Sequence, residues 1–262
     1  MNLKKYISLL LVIVITVSLC LTGCSRSDDE KVTPAGGAGR LNTATTEAAT
    51  EEPEPLPKNG ITICVDPGHG FDDPGAFEEQ YLGDIYEKDI TIAVAKLFKD
   101  HLEDLGFTVI MTHDGESFPK TAVDDGNNRF WIEERVSYAN SLGNTIDYYI
   151  SLHCDKFVDS SEVSGTRIHY ATNVDANTEP DIEIAEALAK KLDEDFPEAN
   201  DVVITSNSFY VIMYTKVPAC LVEMGFVSNP DDAAKLIDPE WQDKFAKSLA
   251  DGLHNYFVPS SN

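Results

Sequence analysis

Basic residues are scarce in this chain: Lys and Arg number 20 against 45 Asp and Glu, a formal net charge of −25 over 262 residues. A surface of that sign repels a phosphate backbone, which sets nucleic acid aside as a partner. The acidity otherwise favours solubility and names no substrate. Cysteine is sparse as well, with 5 in all. There is no CxxC metal knuckle and no even, spaced set that would make a disulfide framework. Cys64, Cys154 and Cys220 each sit in or beside an apolar, strand-like stretch, so they read as buried thiols acting as small hydrophobes. Internal repeats are absent. The Gly-rich stretch holding Gly68, Gly70 and Gly75 lacks the Lys-Ser/Thr ending of a phosphate-binding loop, and its glycines read as freedom for a tight turn.

Long apolar runs are missing too, apart from Ile7 to Leu21, which follows the charged start Met1-Asn2-Leu3-Lys4-Lys5. That run is shorter than the about 20 residues needed to cross a bilayer and reads as a targeting segment. It closes on Leu21-Thr22-Gly23-Cys24, which resembles the lipobox of bacterial lipoproteins. The resemblance implies a signal peptide over residues 1–23, cleavage before Cys24, and a lipid on the Cys24 thiol that anchors the protein at the extracytoplasmic face of the membrane. Residues 24–58 are rich in Ser, Thr, Ala, Glu and Pro and poor in large apolar side chains. They read as a disordered tether with a reach of roughly 30 Å.

Residues 59–258 suffice for one domain with a sizeable core, leaving 259–262 as a tail. Strands are expected at Ile61–Val65, Phe107–Met111, Tyr148–Leu152, Arg167–Tyr170, Val211–Met213 and Ala219–Val222. Helices are expected where apolar residues recur at helical spacing: Ile90 to Leu105, Phe130 to Leu142, Ile182 to Leu192 and Trp241 to Tyr256. The alternation predicts an α/β domain with a largely parallel central sheet flanked by helices. In such sheets the ligand site lies beyond the carboxyl ends of the strands. His69, His153 and Glu223 all follow or end predicted strands, and Glu87 opens the first long helix.

Zinc in a hydrolytic site takes three protein ligands, often two His and a carboxylate, and leaves one position to water. His69, Glu87 and His153 could supply that set. Singly, each has a plainer reading: a loop histidine, a first-turn carboxylate facing the helix dipole, a satisfied core imidazole. Glu223 has a plainer reading as a structural carboxylate inside the Glu-Met-Gly-Phe turn, which is disfavoured because a charge directly after an apolar strand needs a partner, such as a cation. Asp66 reads as a turn-former, with a position behind a ligand histidine as the alternative. Arg135 could grip a substrate carboxylate or make a helix ion pair. His101, His169 and His254 read as structural or surface residues.

The wording around these residues is more specific. Asp66-Pro67-Gly68-His69-Gly70 with Pro74-Gly75-Ala76, Glu87-Lys88-Asp89, Arg135 and Ala139-Asn140 before Ser151-Leu152-His153, and Pro218 to Asn229 around Glu223 resemble the zinc-dependent N-acetylmuramoyl-L-alanine amidases of the type-3 amidase family. The blocks cover about residues 60 to 257 in the family's order. The resemblance implies one zinc per chain on His69, Glu87 and His153, with Glu223 as catalytic carboxylate. It also implies peptidoglycan as substrate, cut at the amide between N-acetylmuramic acid and L-alanine. Asp155 stands where the family often has Asn, Cys154 replaces a common small residue, and His113 stands where Arg is frequent. Asp155 and Arg135 are carried forward as substrate contacts. Two further readings stay open: a zinc hydrolase of another cell-wall amide, and a peptidoglycan-binding lipoprotein without turnover. A protein regulator is left open as well.

Overall fold

The apolar run after Gly60 becomes the first strand of a six-stranded sheet in the computed structural model, which describes residues 58–119, 131–171, 179–197, 202–207 and 209–259. The expected signal peptide, the lipidated Cys24 and all of the tether but Lys58 lie outside the described residues, as does the tail beyond Pro259. The strands are β1 (Thr62–Pro67), β2 (Thr108–Met111), β3 (Tyr148–Asp155), β4 (Arg167–Ala171), β5 (Val203–Asn207) and β6 (Ala219–Phe226). The helices are α1 (Glu79–Leu82), α2 (Glu87–Asp104), α3 (Ile132–Leu142), α4 (Glu179–Asp195), α5 (Tyr210–Met213), α6 (Pro230–Leu236) and α7 (Pro239–Phe257).

The strand order is β2-β1-β3-β6-β4-β5. The first four of these run parallel, while β4 pairs antiparallel with β6 and parallel with β5. The sheet is therefore largely parallel, as the alternation predicts. β5 is absent from the sequence reading because Thr205, Ser206 and Asn207 break its apolar run. Val211–Met213, expected as a strand, is the short helix α5. Three consecutive apolar residues carry no period, so strand and helix cannot be told apart there.

Side-chain alternation divides the core between two faces of the sheet. Ile63, Val65, Ile150, Leu152, Ile168 and Val222 point toward α2, α4 and α7, where Phe98, Leu188, Phe245 and Leu249 are fully or almost fully buried. At about 1.5–3 kcal/mol for each large side chain removed from water, this layer is the main source of stability. The opposite face carries Cys64, Tyr149 and Leu221 under a thinner cover of α3 and α5. All three cysteines in the described residues are buried free thiols.

Candidate active site

The site begins where β1 stops. Asp66 is fully buried at the strand end and accepts hydrogen bonds from Thr112 Oγ1 (2.6 Å) and Ser151 Oγ (2.7 Å). Arg135 Nε, from α3, lies 3.1 Å from Asp66 Oδ1. Burial would raise the Asp66 carboxyl, but Arg135 and these donors outweigh it and hold the carboxyl below its ordinary range. The chain then turns sharply. His69 and Phe71 adopt left-handed backbone angles, with φ of 64° and 54°, a conformation that side chains other than Gly seldom take. Gly70 and Asp73 exchange two backbone hydrogen bonds of 2.9 Å, and His113 Nε2 lies 2.9 Å from the Pro67 carbonyl. This bracing is what the strained turn requires if it is to persist.

The turn delivers His69 to the first residue of α2 and to the end of β3. His69 Nε2 lies 3.1 Å from Glu87 Oε2, and His153 Nδ1 lies 3.0 Å from Glu87 Oε1. Ala76 N and Cys154 N donate to the same two carboxylate oxygens at 2.6 and 2.9 Å. One potential ligand atom from each of His69, Glu87 and His153 falls within 4.8 Å of the others. Burial would raise Glu87, but hydrogen bonds from His153 and His69 prevail and hold it well below the usual carboxylate range. Burial would likewise depress His69, yet Glu87 and then Asp73 raise it.

Two observations fit this cluster to a cation. His153 Nε2 is buried with no hydrogen-bond partner among the described residues, so the imidazole has coordinating capacity that none of them uses. Asp73 Oδ2 sits 2.8 Å from His69 Nδ1, which favours the tautomer that leaves Nε2 free as a ligand. Two imidazoles and a carboxylate form a donor set suited to a borderline metal.

Glu223 lies on β6 directly across from His153 on β3. It is 8% exposed, and its Oε2 has no hydrogen-bond partner. Burial pushes the carboxyl well up, Glu87 and Asp155 add to the rise, and Arg167 opposes them. A buried carboxyl with an idle oxygen beside a cluster that could hold a cation is equipped to exchange a proton.

A family model for N-acetylmuramoyl-L-alanine amidases matches residues 63–255, a span that contains every residue just described. The chain belongs to that family. The amidase is 32% identical to the germination-specific N-acetylmuramoyl-L-alanine amidase of Bacillus subtilis over 79% of this chain and 84% of the relative. It is 30% identical to the Bacillus subtilis amidase LytC over 84% of this chain but only 40% of that longer protein. Among solved structures, the catalytic domain of the amidase CwlV from Bacillus (Paenibacillus) polymyxa var. colistinus aligns at 26% identity, with a TM-score of 0.62 over 75% of this chain and 97% of that one. An amidase from Clostridium difficile 630 shares the fold, with a TM-score of 0.65 at 23% identity over 78% of this chain and 100% of that one.

The structure corrects one sequence expectation for the amidase and refines two. Arg135 does not offer a substrate its guanidinium: it is 2% exposed and closed on Asp66. Asp66 is structural, as expected, but it binds Thr112 just after β2, Ser151 of β3 and Arg135 of α3 rather than its own loop, and it stands behind neither candidate ligand histidine among the described residues. Asp73 has that position. Asp155 is paired with Arg167, whose Nη1 lies 3.2 Å from Asp155 Oδ2. Asp73 and Arg167 escaped the sequence reading. The spacing of Asp73, four residues after His69, was a usable signal; for Arg167 there was none, because its neighbours are set by the register of β4 on β6.

Proposed function

We propose that this amidase is zinc-dependent and hydrolyses the amide between N-acetylmuramic acid and L-alanine in peptidoglycan, working from a lipid anchor at Cys24 on the extracytoplasmic face of the membrane. The observation that carries the catalytic reading is the placement of Glu223, whose Oε2 has no hydrogen-bond partner among the described residues, across from His153 and beside the single His-Glu-His cluster found among those residues. His69, Glu87 and His153 would hold the zinc. Bound there, zinc would supply Lewis acidity, polarising an amide carbonyl and lowering the pKa of a water towards ~7.

The protein's own groups supply the proton path. Glu223 takes a proton from the attacking water on its free oxygen as the carbon–oxygen bond forms. It returns that proton to the departing nitrogen as the carbon–nitrogen bond breaks, so the amine of L-alanine leaves neutral. A positioned acid-base group of this kind contributes about 10²- to 10⁴-fold. Asp73 keeps His69 in one tautomer, and the two backbone N–H groups on Glu87 keep its carboxylate facing both histidines. The Leu21-Thr22-Gly23-Cys24 sequence supports the anchor.

Purified protein is expected to contain about one zinc, as an open catalytic site would, and to release stem peptides with free L-alanine amino termini from peptidoglycan. Products with intact muramyl amides would point to another cell-wall amide, and metal-loaded protein that yields no products would refute the enzymatic reading. Cys24→Ala is expected to release the protein from membranes, and continued retention would refute the anchor.

A further inference from the structure

Three cations near the carboxyl end of the sheet are committed within the protein. Arg135 closes on Asp66, Lys88 Nζ donates to the Phe71 carbonyl at 2.7 Å, and Lys156 Nζ donates to the Phe77 carbonyl at 2.6 Å. Arg167 differs. It stands on β4 directly opposite Glu223, which itself stands opposite His153. Residues paired across a sheet face the same side, so His153, Glu223 and Arg167 form a row over three adjacent strands. Directly opposed residues of an antiparallel pair have Cβ atoms about 4.5–5.5 Å apart, which puts Arg167 next to the acid-base carboxyl on the side away from His153.

The guanidinium is held in place from two directions. Its carbon lies 4.4 Å from the ring centre of fully buried Phe226, and Nη1 makes the contact with Asp155. The other Asp155 oxygen accepts a hydrogen bond from Lys156 N at 2.7 Å. A guanidinium has five N–H donors, and Nε and Nη2 of Arg167 have no partner among the described residues. The side chain is 29% exposed. An oriented arginine with spare donors matches the fork geometry of a carboxylate.

We propose that Arg167 is a specificity-determining residue of the amidase, binding the α-carboxylate of the second residue of the stem peptide while Asp155 holds the guanidinium in position. This rests on the muramyl-alanine bond being the one cleaved at Glu223. A peptide advances about 3.3–3.6 Å per residue, so a carboxylate two residues beyond the cut lies ~7 Å away. The neighbouring strand is about 4.7–4.9 Å distant, and the length of an arginine side chain covers the remainder. A carboxamide at that position has no negative charge and one oxygen fewer to accept the fork, so this contact would discriminate between a free and an amidated α-carboxyl.

The test uses the zinc-loaded full chain and two synthetic N-acetylmuramoyl tripeptides that differ only in a free carboxylate or a carboxamide at that position. The parent is expected to prefer the acid by about 10- to 100-fold in kcat/KM, the range of a charge-assisted hydrogen bond, with most of the difference in KM. Arg167→Gln should bring the ratio close to one at parental zinc content. Arg167→Lys, which keeps the charge without the fork, should fall between. A parent without preference, or an Arg167→Gln protein that keeps the parental ratio, would overturn the proposal. If the parent cleaves neither compound, the muramyl-alanine reading fails separately. Binding of the two free tripeptides to the parent then decides on Arg167: tighter binding of the acid supports its role, and equal binding overturns it.

Discussion

Gly68→Ala is expected to abolish tight zinc binding while leaving the fold in place. A Cβ built on Gly68 would lie 2.4 Å from His153 Cε1 and 2.6 Å from both ring nitrogens. Ordinary van der Waals contact begins near 3.4 Å, so the imidazole would have to retreat by about 1 Å. Metal–ligand distances tolerate only about ±0.2 Å, and the retreat therefore takes His153 out of any shared coordination sphere. Gly68 is not in the left-handed region, so alanine escapes that penalty and the clash of the added methyl is the main perturbation. Losing only a hydrogen bond behind a ligand lowers metal affinity about 10- to 100-fold; displacing the ligand itself should weaken zinc by at least ~100-fold. Packing strain should cost the metal-free protein about 1–3 kcal/mol. Competition against a chelating indicator measures the affinity, and thermal unfolding with and without zinc measures the linked stabilisation, which shrinks by ~2.7 kcal/mol for each hundredfold loss at saturating metal. A Gly68→Ala protein that bound zinc as tightly as the parent would refute the cluster as the metal site.

Three other outcomes follow from the same coordinates. Glu223→Gln should keep its zinc and lose about 10²- to 10⁴-fold in kcat, and parental turnover would remove Glu223 from the proton path. Asp66→Ala should destabilise the protein by about 3–5 kcal/mol in urea unfolding, because it strands the buried Arg135 charge, and Asp66→Ala combined with Arg135→Leu should recover much of that loss. Asp181, in the first turn of α4, is buried against the start of β6, where it accepts a hydrogen bond from Ala219 N at 2.9 Å, and burial pushes its carboxyl from 3.8 up to about 6. The folded state thus holds this proton more tightly than the unfolded state. Its ionisation costs stability as pH rises from about 4 to 6, up to ~3 kcal/mol above that window. Asp181→Asn, which keeps an acceptor for Ala219 N, should be more stable than the parent at pH 8 and lose that advantage by pH 4; equal stability across this range would contradict the assignment.

Much of the fold was legible from local pattern. The runs at β1, β3 and β6 are β-branched and apolar, and the periodicity of α2, α4 and α7 is strong enough to set their cores. The misses occur where local signals are weak. β5 ends in polar residues, α5 is too short to show a period, and α6 opens on Asn229 and Pro230, a start signal that went unread although the Asn229 side chain accepts from Asp231 N and Asp232 N. The candidate ligand set and the role proposed for Glu223 were legible only because the words around them match a family. Spacing alone left a plain structural reading open for each.

From the primary structure alone came the alternation of elements, the acidic character, the lipobox-like segment and the residues able to carry metal chemistry. These are properties of short stretches and of composition. Tertiary structure decided which charges are free to act. Arg135 and Asp66, distant in the chain, meet in a dry interior and neutralise each other, whereas the register of β4 on β6 carries Arg167 to a place opposite Glu223, with donors that no described residue uses. Coulomb attraction and desolvation depend on distance and burial, and neither can be read from the order of residues along the chain.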